Sequence, residues 1–209
     1  MIVKTIKINI NMFNMKFRIY VIVATILFVA TDLWSQKVDY YSEVSIIEST
    51  EYTYNVSREK FAPAIIRIEN SDNTKFNSQW NYRNSNKTVN YELFSQLPHL
   101  KDDEMLYDII REVLTDEEIK SIRNSVAAED VINGAVSMQV VVSTNGDILE
   151  IVFYFKDNQH FILCLHPDKL FSIESLFKQK LKFTIPEANA VEMVDYIVGK
   201  NVRIDLRKL

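Results

Sequence analysis

The chain has 209 residues, 47% of them apolar, a formal charge of −4 and one cysteine, Cys164. That length supports one domain with a real core, and an acidic chain without a basic stripe argues against any grip on a phosphate backbone, so no nucleic acid is expected as a partner. One cysteine excludes an intramolecular disulfide, and three glycines (Gly134, Gly146, Gly199) are too few for a phosphate loop or a dinucleotide fingerprint.

In chain order, residues 1–35 are predicted to be a signal peptide. Lys16 and Arg18 precede an apolar run, Ile19 to Thr31, which Asp32 ends. Such a run is shorter than the roughly 20 residues needed to cross a bilayer and suits a signal-peptide core. Cleavage is placed after Ser35, although Leu33 departs from the small-residue rule, and Met15 opens a more ordinary leader and is an alternative start. An uncleaved anchor is the competing reading. No cysteine lies near the cut, so the protein is not expected to be a lipoprotein. The chain is expected to be exported, periplasmic or secreted, with no stable membrane span once the signal is removed. Losing four basic residues and one acid would move the formal charge from −4 to −7.

Residues 36–100 are predicted to be β-rich. "YYSEVSII", "EYTYNV" and "AIIRIE" carry β-branched and aromatic residues, with Pro63 at a strand start or edge. From Asn70 to Asn90 there are seven asparagines, interleaved with Trp80 and Tyr82. Asparagine favours turns, so a loop or loose hairpin is expected, with "VNYELF" returning as a strand. Residues 101–134 are predicted to form two helices. Met105, Leu106, Ile109, Ile110, Val113 and Leu114 make an apolar stripe over Lys101–Leu114. Thr115 and Glu118 then form a capping box before Ile119, Ile122 and Val126, and Asn133-Gly134 is the expected stop.

Residues 135–209 are predicted to be an α+β unit, continuous with 36–134 in one globular domain. "VSMQVVVSTNGDILEIVFYF" reads as a hairpin turning at Asn145-Gly146. A two-residue loop there would pair Val142 with Leu149, Val140 with Ile151, Met138 with Phe153 and Val136 with Phe155, one wholly apolar face. The expected cover is a helix opened by Pro167 and running to about Lys182, with Leu170, Ile173, Leu176, Phe177 and Leu181 buried. "HFILCL" before it is expected as a strand. After it come a short extended piece ("KFTIP"), a short helix ("AVEMVDYIV") ended by Gly199, and a last strand ("NVRIDL"). The fold class is therefore α+β, an antiparallel sheet with helices packed on one face.

"MQVVVSTNGDILEIVFYF", the helix after it and "LKFTIP" together resemble the C-terminal domain of TonB-type energy transducers, over about residues 135–209. The resemblance implies the layer of strand, turn, strand and helix. It does not carry the activity, because no Pro-rich spacer is present and a large N-terminal half comes first. The whole exported chain resembles small exported Bacteroidetes proteins of unknown function, through a signal ending at Ser35-Gln36, the asparagine richness and the "NGDILEIVF" segment.

Candidate chemistry is sparse. His99, His160 and His166 lack the spacing of a zinc-protease helix. Cys164 and His166 would share a face of a strand and could be a nucleophile and base or two metal ligands, but Cβ atoms there stand about 6–7 Å apart, and a cysteine in "FILCL" behaves as a small core hydrophobe. Asp102, Asp103, Glu104, Glu117, Glu118, Glu129 and Asp130 could hold a paired-carboxylate site or simply occupy first helical turns. Trp80, Tyr82 and Tyr91, with Phe94, could stack on sugar rings or fill a local core. No catalytic residue, metal or cofactor is nominated. The leading expectation is a non-enzymatic binding or interaction protein of the cell envelope that meets a protein or envelope partner through a sheet edge. The alternatives are a glycan-binding module using Trp80, Tyr82 and Tyr91, and a hydrolase with an unidentified carboxylate site.

Overall fold

The structure is a computed structural model that describes residues 38–60, 64–76, 78–89, 98–126, 134–185 and 194–209. Its strands are β1 (Ile46–Glu48), β2 (Thr53–Glu59), β3 (Ile65–Asn70), β4 (His99–Leu100), β5 (Ala135–Ser143), β6 (Ile148–Lys156), β7 (Phe183–Thr184) and β8 (Tyr196–Asp205). Its helices are α1 (Asp103–Val113), α2 (Asp116–Ser125), α3 (His160–Leu163) and α4 (Pro167–Lys180), and a 3-10 turn, Leu206–Lys208, follows β8. Six strands form one sheet in the order β1-β2-β3-β6-β5-β8, and β4 and β7 form a separate pair. Every pairing is antiparallel. The fold is α+β, as the pattern of elements predicts.

Alternation places Ile66, Ile68, Met138, Val140, Ile151, Phe153 and Phe155 on one face, where all are buried. Leu106, Ile109 and Ile110 of α1, Ile122 of α2, and Leu170, Ile173 and Phe177 of α4 pack against them in one core. The expected helix thus covers the expected face. Tyr107 joins the buried side of α1, while Met105 is exposed. Phe177 is 0% exposed. Phe177→Ala should cost about 3–5 kcal/mol, through lost transfer energy plus a cavity, read as a lower denaturant midpoint at unchanged slope.

The helix ends follow the chemistry of their caps. The Asp102 side chain accepts from the Glu104 and Met105 N–H groups. Thr115 and Glu118 form the capping box in full. Pro167 occupies the first turn of α4 behind His166. Asp168, also in that turn, ties the helix to the β1–β2 connection, accepting from the Thr50 N–H at 2.6 Å and the Thr50 hydroxyl at 2.8 Å. Those bonds hold its carboxyl below the usual value of 3.8, and Lys182 does the same for Asp147. A carboxylate depressed in the folded state contributes stability above its unfolded pKa and loses it as pH falls through the folded value. The thermal midpoint should therefore fall as pH drops below 3.8, and a Thr50→Val change should reduce that acid sensitivity.

Four expectations are corrected. The hairpin loop has three residues, not two. The Ser143 N–H donates to the Asp147 carbonyl at 2.8 Å and the Gly146 N–H to the Ser143 carbonyl at 3.0 Å. Gly146 alone takes positive φ, +86°, so this is a tight turn followed by a glycine bulge. Val142 consequently faces Ile148, and a bulge at Leu149 restores the expected pairs Val140–Ile151 and Met138–Phe153. "HFILCL" is not a strand but α3 and the turn after it. The Gln159 side chain accepts from the Lys156 N–H at 2.9 Å and donates to the Ala135 carbonyl at 2.9 Å, stopping β6 and starting the helical turn. Gly199 ends no helix: it lies within β8, where the pairing to β5 slips between Val140 and Val141, the bulge that a strand glycine permits. Finally, α2 stops at Ser125, well before Gly134, whose carbonyl instead accepts from the Leu206 N–H. Pro63, Asn133 and the returning segment from Asn90 lie outside the described residues, as do residues 1–37 and most of "AVEMV".

Candidate functional site

The asparagine-rich segment leaves β3 and is fastened across the ends of β6 and β8. Asn73 donates to the Ile151 carbonyl at 2.8 Å. The N–H groups of Thr74, Lys75 and Phe76 all donate to the Glu150 carboxylate, at 2.9, 2.9 and 3.2 Å. Further along, the Trp80 indole N–H donates to the Tyr196 carbonyl at 2.7 Å, and Arg83 pairs with Asp195 at 2.7 Å. Trp80 is 7% exposed and packs with Val89, Val194 and Ile197, beside a half-buried Tyr82. The structure therefore brings Trp80 and Tyr82 together, but as a small second core. Sugar stacking needs an open ring face, and this indole has none. Tyr91 lies outside the described residues.

The other candidates also resolve into local roles. Cys164 follows α3 and is half-buried. His166 caps α4, its Nδ1 accepting from the Asp168 N–H at 3.3 Å, so the two do not share a strand face. Glu118 bonds the Thr115 N–H and the Lys169 ammonium; the latter contacts outweigh its burial and leave its carboxyl below the ordinary range. Glu129 and Asp130 lie outside the described residues. Among the described residues no group of three His, Cys, Asp or Glu side chains could hold a metal ion.

Sequence reasoning missed the buried acids. Glu174 is 1% exposed, accepts from the Tyr54 hydroxyl at 2.8 Å and pairs with Lys178 at 2.6 Å. Burial, and then the Glu174 charge, push the Tyr54 hydroxyl far above its ordinary range, so it remains a proton donor. The signal was available: Glu174 sits between Ile173 and Phe177 on the apolar stripe of α4. Tyr54→Phe should cost roughly 1–3 kcal/mol by leaving a buried carboxylate one donor short, read by thermal unfolding.

A cleft of about 510 Å³ lies between the outer edge of β8, α1 and β4, and is lined by His99, Leu100, Leu106, Tyr107, Asn201, Val202 and Arg203 together with Asp103, Asp205 and Lys208. β8 ends the six-strand order, so among the described residues no strand pairs with its outer side. The direction of its backbone groups follows from two bonds. The Leu206 N–H donates to the Gly134 carbonyl beside β5, whereas the Asp205 N–H donates outward to the Tyr107 hydroxyl at 3.2 Å. Antiparallel ladders alternate these directions residue by residue. Hence Ile204 and Val202 bond β5, and Arg203 and Asn201 turn their main-chain groups into the cleft. Asp205 itself is forked by Arg207 at 2.8 and 2.5 Å. That hydrogen-bonded pairing, stronger than the effect of burial, holds its carboxyl low, so it stays ionised and is unsuited to act as a general acid.

The fold has a counterpart among solved structures. A crystal structure of a DUF5043 family protein from Bacteroides uniformis ATCC 8492 superposes on it. The TM-score is 0.59 over 81% of this chain and 89% of that one, at 16% sequence identity. At that identity the likeness establishes a shared fold. No protein-family model matches the chain, and no curated protein matches it.

Proposed function

We propose that this is an exported, non-enzymatic binding protein that takes an extended segment of a protein partner as an added strand along β8. The observation that carries the reading is the ten-residue β8 edge, which no strand among the described residues pairs on its outer side and whose outward main-chain groups at Asn201 border the cleft. Strand addition draws its affinity from such groups and its specificity from side-chain pockets on alternate residues. Export is supported by the Lys16–Arg18 and Ile19–Thr31 pattern. The layer of strand, turn, strand and helix that resembles TonB-type C-terminal domains supplies the scaffold here. The glycan reading is disfavoured by the closed face of Trp80. The hydrolase reading is disfavoured because, of the two acids that line the cleft, Asp103 and Asp205, the second is held by Arg207.

The test is a proline pair. Asn201→Pro removes an outward N–H and leaves the β5 ladder intact, as edge prolines do. Val202→Pro removes a ladder donor and should destabilise by about 3 kcal/mol. Tagged protein would be cross-linked in envelope and culture fractions and its partners identified by mass spectrometry. A dominant partner cross-linking at residues 201–203, and lost in Asn201→Pro at near-unchanged melting temperature, is the expected result. A partner retained by Asn201→Pro would end the strand-addition reading.

A further inference from the structure

A second cleft lies at the opposite end of the sheet, where β3 and α4 finish and β6 begins. It shares no lining residue with the cleft beside β8 and stands independently of the strand-addition reading. We propose that it seats one neutral saccharide unit, held through its hydroxyl groups by Asn70 and Asp72.

Three features point to that ligand. The cleft holds about 210 Å³, and its walls include Tyr52, Asn70, Asp72, Lys75, Glu150 and Lys178. Asn70 is only 2% exposed, yet half of its amide is unused. Its Oδ1 accepts from the Asp72 N–H at 3.0 Å. That bond settles which side of the amide is oxygen and leaves Nδ2 without an acceptor among the described residues. The Asp72 carboxylate is exposed and has neither a donor nor an ion-pair partner among the described residues. Lastly, the charges on the walls cancel, Lys75 and Lys178 against Asp72 and Glu150.

One free donor beside one free acceptor suits a hydroxyl group, which gives one hydrogen bond and accepts others. The charge balance selects against ions: an anionic ligand would face Asp72, and a cationic one would face two ammonium groups. Those ammonium groups add donors. Lys178 spends one N–H on Glu174 at 2.6 Å and keeps two. Lys75 stands 3.6 Å from Glu150, beyond hydrogen-bonding reach. Tyr52, which packs edge-on against Phe171, and Leu149 give the wall the apolar portion that the C–H groups of a sugar need. The seat is also built in advance. Glu150 holds the amides of Thr74, Lys75 and Phe76, and Asn73, next to Asp72, is anchored to the Ile151 carbonyl. A few fixed polar groups converging in a cleft are what orient a small ligand. Trp80 is not among the lining residues.

The experiment titrates the full, isotope-labelled chain with glucose, galactose and mannose, each beside its uronate and its 2-amino derivative, and follows the amide signals. At least one neutral hexose should shift the amides of residues 70–75 and 149–150, with a dissociation constant on the order of 1 mM. Its two charged derivatives should bind more weakly. Asp72→Asn, at an exposed side chain with no partner to lose, should weaken the hexose about tenfold at unchanged melting temperature. Asn70→Asp keeps the oxygen that receives the Asp72 N–H, removes the donor, and should abolish binding. The methyl glycoside of the bound hexose then reads the source: retained binding assigns the seat to the end of a glycan, and lost binding to the free sugar, both in keeping with the proposal. No shift with any hexose, shifts only elsewhere in the chain, full affinity in Asp72→Asn, or tighter binding of a charged derivative would each overturn it.

Discussion

Gly146→Ala is expected to lower stability by about 2–4 kcal/mol, from an unfavourable backbone conformation and a steric clash acting together. Gly146 sits at φ +86°, where a side chain is strained. A methyl group there would also stand 2.1 Å from the Phe183 carbonyl oxygen. That neighbour is backbone and cannot rotate away. The Phe183 N–H donates to the Gly146 carbonyl at 2.8 Å, so relief of the clash must break the bond that seats β7 against the hairpin. Gly146→Asn separates the two costs. Asparagine tolerates positive φ yet brings the same Cβ. Equal losses for Ala and Asn in urea unfolding would assign the cost to the clash; a much smaller loss for Asn would assign it to the backbone. A wild-type midpoint for both would contradict the geometry.

Glu150→Ala should be nearly as damaging, at about 3 kcal/mol, because it strips the acceptor from three backbone donors in one step. The carboxylate is 5% exposed and is the clasp for Thr74, Lys75 and Phe76. Its loss should act locally first. Hydrogen exchange at those three amides should accelerate strongly, and the segment from Ser78 to Val89 should follow, since Trp80 is seated downstream of the clasp. Glu150→Gln keeps one acceptor oxygen and should fall between the two. Unchanged protection at residues 74–76 in Glu150→Ala would show that the segment is held elsewhere.

The parts of this fold legible in the sequence are those fixed by local chemistry. Thr115 and Glu118 each accept the other's backbone N–H within one turn, and Pro167 suits the first turn of a helix. Val140, Met138 and their partners alternate over enough residues to settle a face. The misses have a common cause: the deciding contact is distant in the chain. Five apolar residues in "HFILCL" suit a strand or a helix equally, and what decides is a Gln159 side chain reaching Ala135. Asn145-Gly146 signals a hairpin, but loop length depends on whether a bulge at Leu149 can restore the pairing. Gly199 looks like a helix stop until β5 lies beside it. Of the candidate site, Trp80 and Tyr82 were legible as neighbours that either stack on sugars or fill a local core; what decides for the core is the Tyr196 carbonyl that receives the indole, supplied from across the chain. The cleft beside β8 could not be seen at all. Its walls come from α1, β4 and β8, and its character depends on which way alternate amides point, a property of pairing and not of composition.

The two ends of the sheet are unequal. β1 offers three residues and β8 offers ten. Growth of a fibre by sheet extension needs each molecule to present one edge that fits the opposite edge of the next. Here the short edge can match only a fraction of the long one, and the C-terminal end of the long one is closed by Tyr107. On the proposed strand addition such a molecule would work as a terminus, receiving one strand at β8 with no comparable seat among its described strands from which to hand the sheet onward. That asymmetry would let an edge be adhesive toward a partner without making the protein adhesive toward itself.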